Sequence, residues 1–264
     1  MAGVIRSGAS PAAWLLTICA AACSAPPLTP AVALRSNEPA GFVTATDQAW
    51  DAVVDASWKR RASAHDRIIQ DPTAPFSPSS VLEYLYPAGF EGGTAPATHY
   101  FPLGNSKEVF VGLEWKASEA WHGHATGVNK IHFIYLAGGG DVAMVMYGGD
   151  GGPYELRVLP QWREHTRSWL TSNVAHRPVR PGAWHRIEWY LKCESRPGAG
   201  DGVIRWWVDG TLSGSYADVR FPDAAGFAEY QMSPTWGGVG DVKRQTDSYR
   251  FDHTYISTPA RTAQ

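Results

Sequence analysis

The segment Ala183–Leu212, AWHRIEWYLKCESRPGAGDGVIRWWVDGTL, constrains the fold more than any other part of the chain. Two runs rich in Trp, Ile and Val flank a Gly/Pro/Asp turn, and Asp209-Gly210 marks a second turn directly after them. In the first run Ile187, Trp189 and Leu191 alternate with Arg186, Glu188 and Lys192. In the second, Trp206 and Val208 alternate with Arg205, Trp207 and Asp209. Successive side chains of a strand point to opposite faces, so this alternation between short Gly-containing turns specifies antiparallel hairpins. One face of each strand is apolar and belongs in a core. The other is polar and presents a ring, Trp207, to a ligand.

Further strand-like runs occur at Val81–Pro87, Val109–Lys116, Lys130–Ala137, Val142–Tyr147, Glu155–Gln161, Ala228–Met232 and Tyr249–Ser257. Gly, Pro, Asp and Asn breakers separate them. The spacing of Trp50, Val53, Val54 and Trp58 predicts a short helix or turn within Thr46–Lys59. No long amphipathic helix interrupts the series, so crossover connections and a parallel sheet are excluded. The expected fold is all-β, an antiparallel β-sandwich or jelly roll. No regular repeat argues for a propeller or solenoid.

The N-terminus reads as an export signal: Arg6, a short apolar run at Ala12–Ala22, then small residues. That run is too short to span a bilayer. Two cleavage sites compete. Ala20-Ala21-Ala22-Cys23 resembles a lipoprotein site that would lipidate Cys23, and Ala31-Val32-Ala33 is an ordinary A-x-A site. The expected layout is a signal segment over 1–23, a Pro/Ala/Ser-rich linker over 24–41, a β-sandwich over 42–258 and a tail over 259–264. The protein is expected to be secreted, periplasmic or an outer-membrane lipoprotein. Cys193 is the single cysteine outside the signal region, and its strand parity points to the core. A net charge of −2 gives no support for nucleic-acid binding. The 12 Trp and 11 Tyr, in contrast, supply platforms for the apolar faces of sugar rings.

Gly127–Ala137, GVNKIHFIYLA, is the leading site candidate. Simple alternation turns Ile131, Phe133 and Tyr135 inward and leaves Lys130 and His132 together on the open face. They would then lie about 7 Å apart, as a cationic patch for a carboxylated sugar, with either able to act as a base. In the next hairpin Leu156 and Val158 read as core, while Glu155, Arg157 and Gln161 project outward. Arg157 offers a two-pronged donor that fits a carboxylate, and Tyr147 or Tyr154 would supply a proton. His122, beside His124, is expected on a loop lip, and Gln231 and Trp236 as sugar contacts. Two histidines at this spacing are a poor metal pair. No cofactor is expected, although a structural calcium ion would find ligands in the Asp- and Gly-rich loops.

Together these residues resemble the concanavalin A-like lectin/glucanase superfamily. The resemblance rests on the W-H-x-I-E-W and W-x-V-D-G hairpin and on the closing run Tyr249–Ser257. Within it, Val81–Gly89 and Asn129-Lys130-Ile131 are similar to segments of jelly-roll lyases acting on alginate or glucuronan. That resemblance implies a polysaccharide lyase working by β-elimination, an anionic polysaccharide as partner, and Lys130 as its functional lysine. A non-catalytic lectin-like domain is the alternative. A glycoside hydrolase ranks third, because the paired carboxylates about 5–5.5 Å apart that retaining enzymes need have no Glu-x-Asp-x-x-Glu motif here. We expect a monomer with no membrane span.

Overall fold

Fifteen strands account for almost all regular structure in the computed structural model. It describes residues 33–51, 54–61, 63–76, 79–162, 169–222 and 225–260, together with positions 1 and 3. The signal run, Cys23 and most of the expected linker and tail lie outside these residues. In chain order the strands are β1 (Phe42–Gln48), β2 (Lys59–Arg61), β3 (Asp66–Asp71), β4 (Ser79–Tyr86), β5 (Thr98–Ser106), β6 (Glu108–Ala117), β7 (Val128–Leu136) and β8 (Asp141–Tyr147). They continue as β9 (Tyr154–Gln161), β10 (Pro178–Val179), β11 (His185–Lys192), β12 (Gly202–Val208), β13 (Thr211–Val219), β14 (Phe227–Met232) and β15 (Asp247–Pro259).

They form two antiparallel sheets. Sheet A runs β13-β12-β11-β6-β15-β4-β3, with β1 also on β15, and sheet B runs β10-β9-β8-β7-β14-β5-β2. Every named element among the described residues is a strand, and the run Thr46–Lys59, read as a short helix or turn, holds the end of β1, a turn at Ala56-Ser57 and the start of β2, with positions 52 and 53 outside the described residues. No described helix is long and apolar enough to cross a membrane.

The core lies between the sheets, where alternation predicts it for β11 and β12: Ile187, Trp189, Leu191, Ile204, Trp206 and Val208 are all buried there, as is the Cys193 thiol. Asp209 and Gly210 both have positive φ (51° and 77°), the geometry of a two-residue primed turn. That turn sets Val208 opposite Thr211.

Sheet A is covered on its outer face too. From Ala33 onward the stretch that reads as linker lies across that face, and Leu34 joins Phe110, Tyr190 and Tyr255 in a second apolar cluster. The fully buried Glu188 carboxylate accepts from Ser36 Oγ (3.0 Å), Asn37 N (3.0 Å) and Asn37 Nδ2 (2.7 Å). Beneath the segment sits Gly112, where a Cβ would lie 1.8 Å from the Leu34 carbonyl oxygen. That neighbour is backbone, so Gly112→Ala must lift the segment and strip Glu188 of its donors. We expect a loss of about 1–3 kcal/mol in urea-unfolding stability. An unchanged unfolding midpoint would show that the segment does not hold the face.

Candidate functional site

Strand register arranges the outer face of sheet B in rows, its central residues Phe133, Ala143 and Val145 buried beneath half-buried polar and aromatic side chains. Lys130 on β7 lies opposite Val145 on β8, which lies opposite Arg157 on β9. Two interstrand spacings put the Lys130 and Arg157 backbones about 10 Å apart, roughly the width of a sugar ring with its substituents. Tyr147 stands two residues along β8 from Val145, about 7 Å away. Phe133, Ala143 and Val145 form the floor between them, with Tyr135, Tyr147 and Trp169 packed around it.

The charges on this face are partly desolvated. Lys130 Nζ sits 5.4 Å from the Phe133 ring centroid. Burial pulls its pKa down, and the Asp141 carboxylate opposes that. Asp141 is itself pushed up to about 6 by burial, with Lys130 opposing. Tyr135, opposite Asp141, has its phenol raised by burial and by the Asp141 and Glu229 carboxylates. Arg157 sits over Tyr147, its Cζ 3.7 Å from the ring centroid, and its Nε donates to Glu155 Oε1 at 2.6 Å. His176 Nδ1 meets the same carboxylate at 3.0 Å. Around Arg157, Tyr147, Glu155 and His176 the face deepens into a hollow of about 230 Å³. Gln161 lies opposite Asp141; Gln231 lies opposite Phe133 and donates to Glu229.

The lysine is held from behind. Asn129 is wholly buried. Its Oδ1 accepts from Trp121 Nε1 and the His124 N–H (3.1 Å each), and its Nδ2 donates to Met146 O (3.0 Å) and Gly148 O (3.1 Å). The Lys130 N–H donates to Thr235 O at 3.0 Å. The loop carrying Thr235 is pinned by Lys243, whose buried ammonium donates to His122 O (2.7 Å) and Asp247 Oδ2 (2.5 Å) and faces the Trp121 ring at 3.4 Å. Nothing in the local sequence, GVGDVKRQTD, marks Lys243 as buried.

Five predicted site residues are placed elsewhere. A bulge at Ile131 shifts the β7 register between Lys130 and His132, reversing the alternation. Lys130 still faces out, but His132 turns into the core, where its Nδ1 is 2.9 Å from Tyr230 Oη and its ring lies 5.0 Å from Trp189. Phe133 and Tyr135 come outward in exchange. Tyr154 points inward from β9, away from Arg157, and its hydroxyl donates to Trp121 O at 3.2 Å. Trp207 belongs to the opposite sheet, packed against the outer cluster of sheet A. Trp236 is buried, donating to His122 O at 2.9 Å. His122 is no exposed lip: it is buried, and Arg244 Nε donates to its Nε2 at 2.8 Å. Lys130, Tyr147, Glu155, Arg157, Gln161 and Gln231 do share the open face. Among the described residues no group of three or more His, Cys, Asp or Glu side chains is arranged to hold a metal.

Burial lowers the His132 pKa from 6.5 to about 3. Between those values the unfolded chain takes up a proton that the folded chain refuses, so this histidine costs stability as pH falls through that window, by at most about 1.4 kcal/mol per pH unit. In His132→Gln the urea-unfolding stability therefore drops less between neutral pH and about pH 4.5 than in the parent. Parallel losses in the two proteins would refute the assignment.

No protein-family model and no curated protein sequence matches the chain. Solved structures do. An alginate lyase, determined as a double variant with an alginate trisaccharide, superposes with a TM-score of 0.62 at 11% identity, over 84% of this chain and 99% of that one. An endo-β-1,4-glucuronan lyase from the fungus Trichoderma reesei gives 0.55 at 16% identity, over 82% and 96%. An apo transglycosylase gives 0.50 at 14% identity, over 84% and 86%. At these identities the likeness establishes architecture, and one architecture carries more than one chemistry. The chain has the concanavalin A-like jelly-roll fold that these carbohydrate-active proteins share.

Proposed function

We propose that this protein binds a uronic-acid-containing polysaccharide along the outer face of sheet B and cleaves it by β-elimination. The observation that carries the reading is the row Lys130-Val145-Arg157: two cations flank an apolar floor, one of them an amine whose proton is loosened by burial. Arg157 leaves Glu155 for the uronate carboxylate and disperses its charge, which makes the C5 proton acidic. Lys130, once it has lost its own proton to solvent, takes that proton. The C–H electrons pass into the carboxylate as an enolate-like anion and then form the C4–C5 double bond as the C4–O bond breaks. Tyr147 gives its phenolic proton to the departing oxygen. Solvent then carries a proton from the lysine back to the tyrosine. The alginate and glucuronan lyases of this architecture support the substrate class.

The unsaturated product absorbs in the ultraviolet. Incubation with alginate, glucuronan and heparin-like chains is expected to raise that absorbance for at least one of them, and a flat trace on all three counts against the reaction. One observation favours a second reading: Arg157 already has a carboxylate, Glu155. If Glu155 never yields, the face is a lectin-like surface that retains the glycan without releasing product.

A further inference from the structure

Trp169 lies between β9 and β10, and a two-bond bridge decides where its ring goes. The Val158 N–H donates to Leu170 O at 3.0 Å, and the Leu170 N–H donates to Val158 O at 2.9 Å. Val158 and Leu170 are both buried in the core between the sheets. Side chains alternate along an extended segment, so Trp169 turns the other way, onto the outer face of sheet B. There it packs against the Phe133, Ala143 and Val145 floor and stays partly exposed. Trp121, Trp189, Trp206 and Trp236 are by contrast enclosed in the core. The Trp169 ring centroid is 5.2 Å from that of Tyr147, the two rings inclined at 66°. Arg157 Cζ stands 3.7 Å from the centroid of the same Tyr147 ring. An indole, a phenol and a guanidinium therefore meet at one place on the face.

We infer that Trp169 is the aromatic platform of the site: the uronate whose carboxylate meets Arg157 rests an apolar C–H face on the exposed part of the indole, which holds its glycosidic oxygen toward Tyr147. This rests on the reading of the outer face of sheet B given above. The hydroxyls and carboxylate of a pyranose project around its rim, and C–H groups cover much of its two faces. A ring stacked on an indole thus keeps its polar groups free for Arg157 and Tyr147. Trp169 touches no reacting atom, so it is a positioning residue. Covering the same C–H surface favours bound substrate and transition state alike, and the platform therefore acts on KM more than on kcat.

The test uses the full chain, oligosaccharides of glucuronan and of alginate as probes, and two substitutions. Trp169→Phe keeps a ring and removes the indole emission. Trp169→Leu keeps apolar cover over the floor and removes the ring. In the parent, saturating oligosaccharide is expected to shift the tryptophan emission and to shield part of it from acrylamide quenching. Both responses should vanish in Trp169→Phe, while its calorimetric affinity stays within about threefold of the parent. Trp169→Leu should bind about tenfold more weakly and raise KM by a similar factor at nearly unchanged kcat. An emission response that survives in Trp169→Phe, or parental affinity in Trp169→Leu, overturns the inference; a residue that merely covers the floor would give that second result. Trp169-dependent binding without ultraviolet-absorbing product would remove the lyase reading and leave the platform standing. Product formed at parental KM by Trp169→Leu would do the reverse, and no binding of either probe would overturn both.

Discussion

Lys130→Ala is expected to lose turnover by a factor of about 10²–10⁴ on whichever uronate polymer the parent cleaves, while the polymer is still retained in affinity electrophoresis. The side chain is half-buried on an open face and makes no hydrogen bond that holds the fold together, so the thermal midpoint should barely move. Lys130→Arg sharpens the test. Arginine preserves the positive charge but does not release its proton near neutral pH. If the lysine is the base, the arginine variant is as inactive as alanine; restored turnover would reduce its role to charge alone. Asp141→Asn gives a second readout. The Asp141 carboxylate holds the Lys130 pKa up against burial, so its removal lets that pKa fall. The acid limb of the pH–rate profile should then move to lower pH. A profile that stays in place would mean that the titrating base is another group.

The largest effect on stability is expected at Lys243. Its ammonium is 1% exposed, bonded to an Asp247 carboxylate that is 2% exposed, and enclosed by the Trp121, Trp236 and Tyr86 rings at 3.4, 4.8 and 5.4 Å. Lys243→Met fills the cage with a chain of similar bulk but strands a buried carboxylate. Breaking such a pair on one side costs about 3–5 kcal/mol, or about 6–20 °C in the thermal midpoint of a domain this size. The double change Lys243→Met with Asp247→Asn removes both charges and keeps an acceptor for the His122 N–H, which bonds Asp247 at 2.9 Å. The double variant should therefore be more stable than Lys243→Met alone. Equal losses in the two would place the contribution in packing rather than in the unpaired charge. Turnover should fall in the single variant as well, because the Lys243 loop presents the carbonyl of Thr235 to the Lys130 N–H.

Which side chains share the outer face of sheet B was legible where a strand keeps strict alternation and obscure where it does not. On β9, Tyr154, Leu156, Val158 and Pro160 are buried in regular turn with the outward Glu155, Arg157, Leu159 and Gln161. Three of the four outward residues are polar, so the pattern betrays the open face. On β7 nearly every residue from Ile131 to Leu136 is apolar or aromatic, and composition gives no sign of which side each takes. A single extra residue at Ile131 then exchanges His132 for Phe133 and Tyr135. Trp207 and Trp236 misled for a related reason. A tryptophan beside polar residues looks like a ligand platform, yet one is packed in the outer cluster of sheet A and the other donates its N–H inside the fold.

Local sequence alone thus determined the all-β architecture, the core faces of β11 and β12 and the Asp209-Gly210 turn. Each follows from the two-residue period of a strand or the conformational demand of a tight turn, properties that act over a few neighbouring residues. Tertiary structure decided which face stayed open, which of two neighbouring cationic candidates looked onto it, and that Lys243 would be a buried pin. Those outcomes depend on the 33–41 segment lying across sheet A, on the register between β7 and β8, and on rings from three distant segments meeting around one ammonium. Long-range packing selects such arrangements by the apolar surface and paired charge it removes from water, quantities that no short stretch of the chain contains.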